Sequence, residues 1–228
     1  MENLHAFHTR VDGFQRDSLQ HTLTTKSLLA EKVAPDGVLR PFYGNTMIFD
    51  LPQDVQLQIA RLQLMLHHRC AAMLAELLAP ATLHMTLHDL LNGVDEAALS
   101  EPVRKTGAQA KAILTELRQS ALPPIRLTST LAFNMGNGSV ALGFAPDTEA
   151  DCAALMGMHA RFQEVVALNY PLTPHVTLAY YKPGSYDTAA LGEALAAINA
   201  LEKVHIAVDA NCLHYYRFTD MNTYIRED

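Results

Sequence analysis

Two tetrapeptides of the same pattern decide the fold, His84-Met85-Thr86-Leu87 in the first half of the chain and His175-Val176-Thr177-Leu178 in the second. Both lie among β-favouring residues, and side chains in a strand alternate between its two faces. Each motif is therefore predicted to place one imidazole and one hydroxyl on one face and its apolar residues on the other. Two such strands facing a cleft would hold two histidines and two threonines around one small anion.

A single His-x-Thr is a weak signal, but two copies with an apolar residue at x and leucine after the threonine are a much stronger one. The pair resembles the 2H phosphoesterase superfamily of cyclic phosphodiesterases and RNA 2'-5' ligase-like proteins. That family is defined by two His-x-Thr/Ser-x-apolar motifs, one from each half of an internally duplicated α+β domain. The segment Pro41-Phe42-Tyr43-Gly44-Asn45-Thr46 is similar to a little-characterised bacterial branch. The resemblance covers roughly residues 40 to 220 and departs at His88, where the family usually has an apolar residue.

The order of predicted elements around both motifs is strand, helix, motif strand, helix, strand. Residues 52–78 carry an apolar stripe at helical spacing, which predicts a helix packed on a sheet; the stripe is Ile59, Leu62, Leu66, Cys70, Met73 and Leu77. We also expect helices over residues 12–30, 95–120 with a break near Pro102, and 148–169. This order predicts an α+β, internally duplicated two-lobe fold, with two antiparallel-type sheets facing a central cleft and helices outside.

The sequence also predicts how the domain is organised. Residues 1–40 mix polar residues with short apolar islands and end in the turn signal Ala34-Pro35-Asp36-Gly37, so we predict an N-terminal arm packed on the core. Residues 41–228 then form a single 2H phosphoesterase-like domain, with lobes built around residues 84–87 and 175–178.

The charge and the cysteine content of the chain limit the kinds of partner and the cellular compartment that we expect. The formal net charge of -7 excludes a protein that grips long duplex nucleic acid through a basic surface, and favours a small nucleotide or a short RNA terminus. Three dispersed cysteines argue against a disulfide framework and fit a cytoplasmic protein. No apolar run reaches the length of a membrane span, so we expect no membrane partner. We expect a monomer.

The motif residues suit acid-base chemistry on a phosphodiester. Histidine has both protonation states accessible near neutral pH, so one imidazole can take a proton while the other gives one. Threonine hydroxyls can donate to phosphate oxygens. The family resemblance implies metal-independent opening of a 2',3'-cyclic phosphate without a cofactor, with His84, Thr86, His175 and Thr177 as catalytic residues. It also implies His175 as the base and His84 as the acid.

Several alternatives stay open at this stage. The family includes RNA 2'-5' ligase-like activity, and the same pocket would also suit a non-catalytic nucleotide or phosphometabolite binding protein. Metal-dependent hydrolysis is a third possibility, although His84 and His88 would lie about 13 Å apart on a strand, too far to share one ion. We interpret His88 as a rim residue or a partner of the catalytic groups. Tyr43, Arg126 and Tyr181 are candidate substrate-binding residues.

Overall fold

The computed structural model describes residues 2–16, 18–120 and 122–228. Six α-helices and ten strands lie within these ranges. The helices are α1 (Leu4–Arg16), α2 (Leu29–Lys32), α3 (Gln53–Cys70), α4 (Glu96–Gln119), α5 (Glu149–Gln163) and α6 (Ala189–Asn199). The strands are β1 (Thr22–Thr24), β2 (Tyr43–Phe49), β3 (Met85–Gly93), β4 (Ile125–Met135), β5 (Ser139–Pro146), β6 (His175–Tyr180), β7 (Ser185–Asp187), β8 (His205–Val208), β9 (Leu213–Asp220) and β10 (Thr223–Arg226).

Two four-stranded antiparallel sheets form the two lobes, as the element order predicts. One has the strand order β10-β9-β2-β3 and the other β6-β5-β4-β8. Each motif strand is an edge strand of its sheet, and β3 and β6 lie against each other where the lobes meet. The helices pack on the sheets, with α4 on β2, β3 and β9 and α5 on β4 and β5. The predicted α+β two-lobe fold is confirmed.

Local sequence signals explain several elements. The hairpin between β4 and β5 turns through Gly136 and Asn137, which both have positive φ angles of 56° and 60°. Glycine and asparagine are the residues that tolerate this conformation. Gly138 completes the three-residue connection between Met135 and Ser139, which pair with each other. Thr148 begins α5 by accepting a hydrogen bond from the backbone N–H of Asp151 with its hydroxyl, as an N-cap does.

Four helix predictions need correction. The helix expected over residues 52–78 ends at Cys70, and Leu77 of the predicted stripe is exposed, because the chain turns after α3 and Leu74 forms a β-bridge with Tyr181.

The helix expected over residues 12–30 is instead α1, β1 and α2, because Leu23 is buried on a strand that pairs with β7 while Leu28 is exposed; residue 17 lies outside the described residues. Helix α4 continues through Pro102, since its buried face packs on a sheet and tertiary packing outweighs the lost backbone hydrogen bond. Helix α5 ends at Gln163, whose side chain accepts from the N–H of Leu168 and turns the chain.

The N-terminal residues pack on the second lobe. Phe7 and Val11 of α1 are buried against Ala145 and Cys152, and β1 pairs with β7. The division at residue 40 stays a prediction. Over the described ranges, every helix is too short or too polar to cross a membrane.

A matched pair of glycine substitutions tests the packing of the first sheet. A Cβ at Gly44 in β2 would lie 2.2 Å from the carbonyl oxygen of Leu91 and 2.5 Å from the ring of Phe218, whereas a Cβ at Gly157 in α5 meets nothing within 4 Å. We expect Gly44→Ala to lower the free energy of unfolding by about 1–3 kcal/mol through overpacking. Gly157→Ala should raise it by about 0.5–1 kcal/mol through helix propensity. Urea unfolding of both variants checks this; equal effects would contradict it.

Candidate active site

The meeting of β3 and β6 brings the four motif residues to one cavity of about 680 Å³. His84, Thr86, His175 and Thr177 all line it. In each strand the residue between the histidine and the threonine, Met85 or Val176, is buried in the core on the opposite face. The alternation expected from the sequence therefore holds over the motifs themselves, and it orients both pairs of polar side chains.

The two imidazoles are held in the same way. His84 Nδ1 donates to the carbonyl oxygen of Thr82 at 2.6 Å, and His175 Nδ1 donates to that of Thr173 at 2.7 Å. Each acceptor lies two residues before its histidine. Because a carbonyl only accepts, each neutral ring carries its proton on Nδ1 and leaves Nε2 with a free lone pair. A proton entering or leaving at either ring therefore does so at Nε2.

Burial favours the neutral form of both rings. It lowers the pKa of His84 to about 4, and repulsion from His175 adds to that shift, while the Thr82 carbonyl acts against it. Burial also lowers the pKa of His175, against the effects of the Thr173 carbonyl and the Asp89 carboxylate. In the ligand-free protein both imidazoles are thus mainly uncharged near neutral pH, and an anion placed between them would favour their protonation.

A β-bulge follows the threonine in each motif strand. The pairing of β3 with β2 skips Leu87, and the pairing of β6 with β5 skips Leu178. A bulge adds one residue and interrupts the alternation of side chains. As a result, the third residue after each threonine, Asp89 or Tyr180, lines the cavity. The two motif strands share not only a sequence pattern but also an irregularity at the same position.

Asp89 and Tyr180 give the two sides of the cavity different chemistry. Asp89 is the one carboxylate among the described lining residues, and it accepts a hydrogen bond from the hydroxyl of Tyr170 at 2.9 Å. Tyr180 follows Thr177 by three residues on the same cavity wall, and its hydroxyl donates to the sulfur of Met221 at 3.2 Å. The ring of Tyr224 stands edge-on to His84, with ring centroids 4.7 Å apart, and completes an aromatic wall beside that imidazole.

The structure places the three candidate substrate-binding residues away from this cavity. Arg126 is mostly exposed and lies 3.7 Å from the carboxylate of Asp151. Tyr181 is fully buried in the core, and Tyr43 begins β2 and pairs with Gly93 at the far end of β3. None of the three lines the cavity with the motif residues. Their part in substrate binding draws no support from this geometry.

The position of His88 differs from one of the two interpretations drawn from the sequence. His88 is not a rim residue: only 1% of its surface is exposed, and its ring lies 5.0 Å from that of His159 on α5. Both histidines line the same cavity as the motif residues, so a role of His88 as a partner of the catalytic groups stays a prediction. The bulge at Leu87 removes it from the regular alternation of β3. Burial lowers the pKa of both histidines, that of His159 to about 4. No metal cluster of three or more His, Cys, Asp or Glu side chains is found in the described parts of the chain.

Arg10 supports the segment before His175, a role that no motif or spacing in the sequence indicates. Its guanidinium donates to the carbonyl of Leu172 at 2.9 Å and to the hydroxyl of Thr173 at 3.4 Å, while Glu2 neutralises it at 2.7 Å. Thr173 also supplies the carbonyl that orients His175. Arg10 lies far from these residues along the chain, so only the fold reveals the contact.

Comparison with known proteins gives a relationship in structure only. No family model matches the sequence, and no curated protein matches it. A conserved protein of unknown function from Agrobacterium tumefaciens is similar, with a TM-score of 0.65 and 17% identity over 90% of this chain and 92% of that one. Escherichia coli LigT, solved with 3'-AMP, has a TM-score of 0.53 and 16% identity over 83% of this chain and 97% of LigT. The chain therefore has the two-lobe fold of LigT.

Proposed function

We propose that this protein is a metal-independent phosphodiesterase of the 2H superfamily that opens a 2',3'-cyclic phosphate on a nucleotide or a short RNA end. One observation carries the proposal. Two histidines from different lobes face one cavity, each held by a carbonyl two residues earlier, with Nε2 free and a threonine two residues later. Such a pair has the two proton-transfer groups that the reaction needs.

The fold supports this proposal at a coarser level. LigT belongs to the 2H phosphoesterases, and the structure with this fold holds 3'-AMP, an adenosine monophosphate. The two-lobe architecture that the repeated motif implies is thus found in a protein that binds a small nucleotide. We infer that the chain is a phosphoesterase of the same kind and that its ligand is a nucleotide.

The reaction would proceed by acid-base catalysis. A neutral imidazole accepts a proton at Nε2 from water as the water oxygen bonds to phosphorus. The bond from phosphorus to one ribose oxygen breaks, and the second imidazole, protonated, gives its Nε2 proton to that oxygen. The products are a phosphate monoester and a free hydroxyl. Thr86 and Thr177 donate hydrogen bonds to the phosphate oxygens, on which charge grows in the transition state.

The family resemblance gives His175 the role of base and His84 that of acid. The free protein holds His84 mainly neutral, with a pKa of about 4. A bound phosphate anion raises that pKa, because it favours the charged imidazolium beside it. Substrate binding itself would therefore supply the protonated acid that the mechanism requires.

Removing either histidine should abolish turnover without unfolding the protein. We expect His84→Ala and His175→Ala each to lower kcat for a nucleoside 2',3'-cyclic monophosphate by about 10²–10⁴-fold in the presence of EDTA, the range typical of lost acid-base catalysis. His68→Ala, at an exposed position of α3, is the matched control and should keep full activity. Product analysis identifies the bond that breaks.

Three outcomes would count against the proposal. Wild-type turnover in either histidine variant would exclude the two-histidine mechanism. Turnover that stops in EDTA and returns with zinc would indicate metal-dependent hydrolysis. Tight nucleotide binding by a protein that turns over no cyclic phosphate or RNA end would indicate a binding function.

The pH dependence should show two depressed pKa values. The base must be neutral, so kcat/KM rises with pH through its pKa; the acid must be protonated, so kcat/KM falls with pH through its pKa. Because burial lowers the pKa of both His84 and His175, we expect the maximum of kcat/KM below pH 6.5. The maximum of kcat should lie higher, since bound phosphate raises both values. A kcat/KM maximum above pH 7.5 would contradict this assignment.

A further inference from the structure

Part of the cavity wall comes from the N-terminal segment, meaning the described residues among the first 40. Side chains from this segment line the same cavity as the motif residues: Arg10, Phe14, Lys26, Leu28, Leu29 and Lys32. Among the described lining residues, every lysine and arginine belongs to this segment. The remainder of the cavity offers histidines, hydroxyls and one carboxylate, Asp89. In a chain of net charge -7, the positive charge of this cavity therefore comes from the N-terminal segment.

Arg10, Lys26 and Lys32 differ in the ion pairs and hydrogen bonds that they form with protein groups. Arg10 is paired with Glu2 and bonded to the segment before His175. Lys26 is exposed, and its backbone N–H donates to the carbonyl of Asn137 in the β4–β5 hairpin, which fixes the position of its loop. Lys32 is partly buried, and it has no ion pair or side-chain hydrogen bond with any described residue.

Lys32 is the unusual member of the group. Its Nζ stands 4.7 Å from the ring centroid of Phe42 and 6.0 Å from that of Tyr180, and both rings line the cavity. A cation–π contact satisfies the charge on one side only, and an ammonium has three N–H donors. Burial lowers the pKa of Lys32, against the effects of Asp89 and Glu31. An anionic acceptor in the cavity would relieve both the missing hydrogen bonds and the desolvation.

The position of Lys32 indicates which anion it would meet. Tyr180 connects the ammonium with the motif strand, since its ring centroid lies 6.0 Å from Nζ and it follows Thr177 by three residues on the same cavity wall. The ammonium is set apart from the motif threonines, because it makes no hydrogen bond with any described side chain. That separation suits a phosphate next to the reacting one better than the reacting phosphate itself.

We propose that Lys32, with Lys26 at the outer part of the wall, binds a second phosphate group of the substrate. The preferred substrates are then nucleotides that carry a phosphate besides the cyclic one, such as a nucleoside 5'-phosphate with a 2',3'-cyclic phosphate. This inference rests on the proposed function for its reacting group. It gives the N-terminal segment a role as a specificity element.

Turnover of two substrates tests the proposal. We would compare adenosine 2',3'-cyclic monophosphate with its 5'-phosphorylated form, in the wild type and in Lys32→Met, a substitution that keeps length but removes charge. The wild type should favour the 5'-phosphorylated substrate by about tenfold in kcat/KM, and Lys32→Met should lose that preference while retaining its activity on the simpler substrate. Lys32→Arg should keep part of the preference. Lys105→Met, at an exposed position of α4, is the matched control and should keep all of it.

A binding measurement separates this inference from the proposed function. Calorimetric titration with 3'-AMP and with adenosine 3',5'-bisphosphate requires no turnover. We expect the bisphosphate to bind the wild type about tenfold more tightly, equivalent to about 1.4 kcal/mol, and Lys32→Met to bind both ligands equally. That result would support the second-phosphate site even if no cyclic phosphate were hydrolysed.

Two results would overturn the inference. If Lys32→Met weakens the binding of 3'-AMP and of the bisphosphate by the same factor, Lys32 contacts the reacting phosphate and there is no separate site. If Lys32→Met binds both titration ligands and turns over both cyclic substrates as the wild type does, the lysine has only a packing role on Phe42. If Lys32→Met loses activity and also has a lower unfolding midpoint, the Lys32→Arg variant decides. For the proposal to stand, Lys32→Arg must then favour the 5'-phosphorylated substrate.

Discussion

The contact between two edge strands, β3 and β6, is the constraint on which the rest of the site depends. Each strand has one apolar face, and both Met85 and Val176 are buried in one continuous core. Apolar burial is the main stabilising contribution to folding and has no directional preference of its own. The strand geometry supplies the direction, since burying one face presents the other. The same packing that joins the lobes therefore brings His84 and His175 to one cavity.

That burial also sets the chemistry of the histidines. Removing an imidazole from water disfavours its charged form, and repulsion from His175 further disfavours the charged form of His84. The carbonyls of Thr82 and Thr173 fix the orientation of the rings and partly offset this effect. A negative charge near the Nε2 atoms would favour protonation of either ring.

Sequence reasoning succeeded where a local signal decided the structure. The strand character of both motifs and the start of the helix predicted from residue 148 each depend on residues close in the chain. It failed where tertiary packing decided. Simple alternation predicts neither the bulges at Leu87 and Leu178 nor the burial of His88 that accompanies the first of them. A bulge depends on the neighbouring strand, so one strand's own residues do not reveal it.

The contacts of the N-terminal segment are also decided by tertiary packing, over longer separations in the sequence. Its contacts with the site join residues that are far apart in the sequence, as when Arg10 bonds to Leu172 or Lys32 meets Tyr180. No periodicity links such positions. Overall charge is equally uninformative about the cavity, because a net charge of -7 describes the whole surface, whereas a phosphate in a cleft responds to the groups within a Debye length, about 8–10 Å. An acidic protein can thus reject long nucleic acid at its surface and still hold a small phosphorylated ligand where a few cations are gathered.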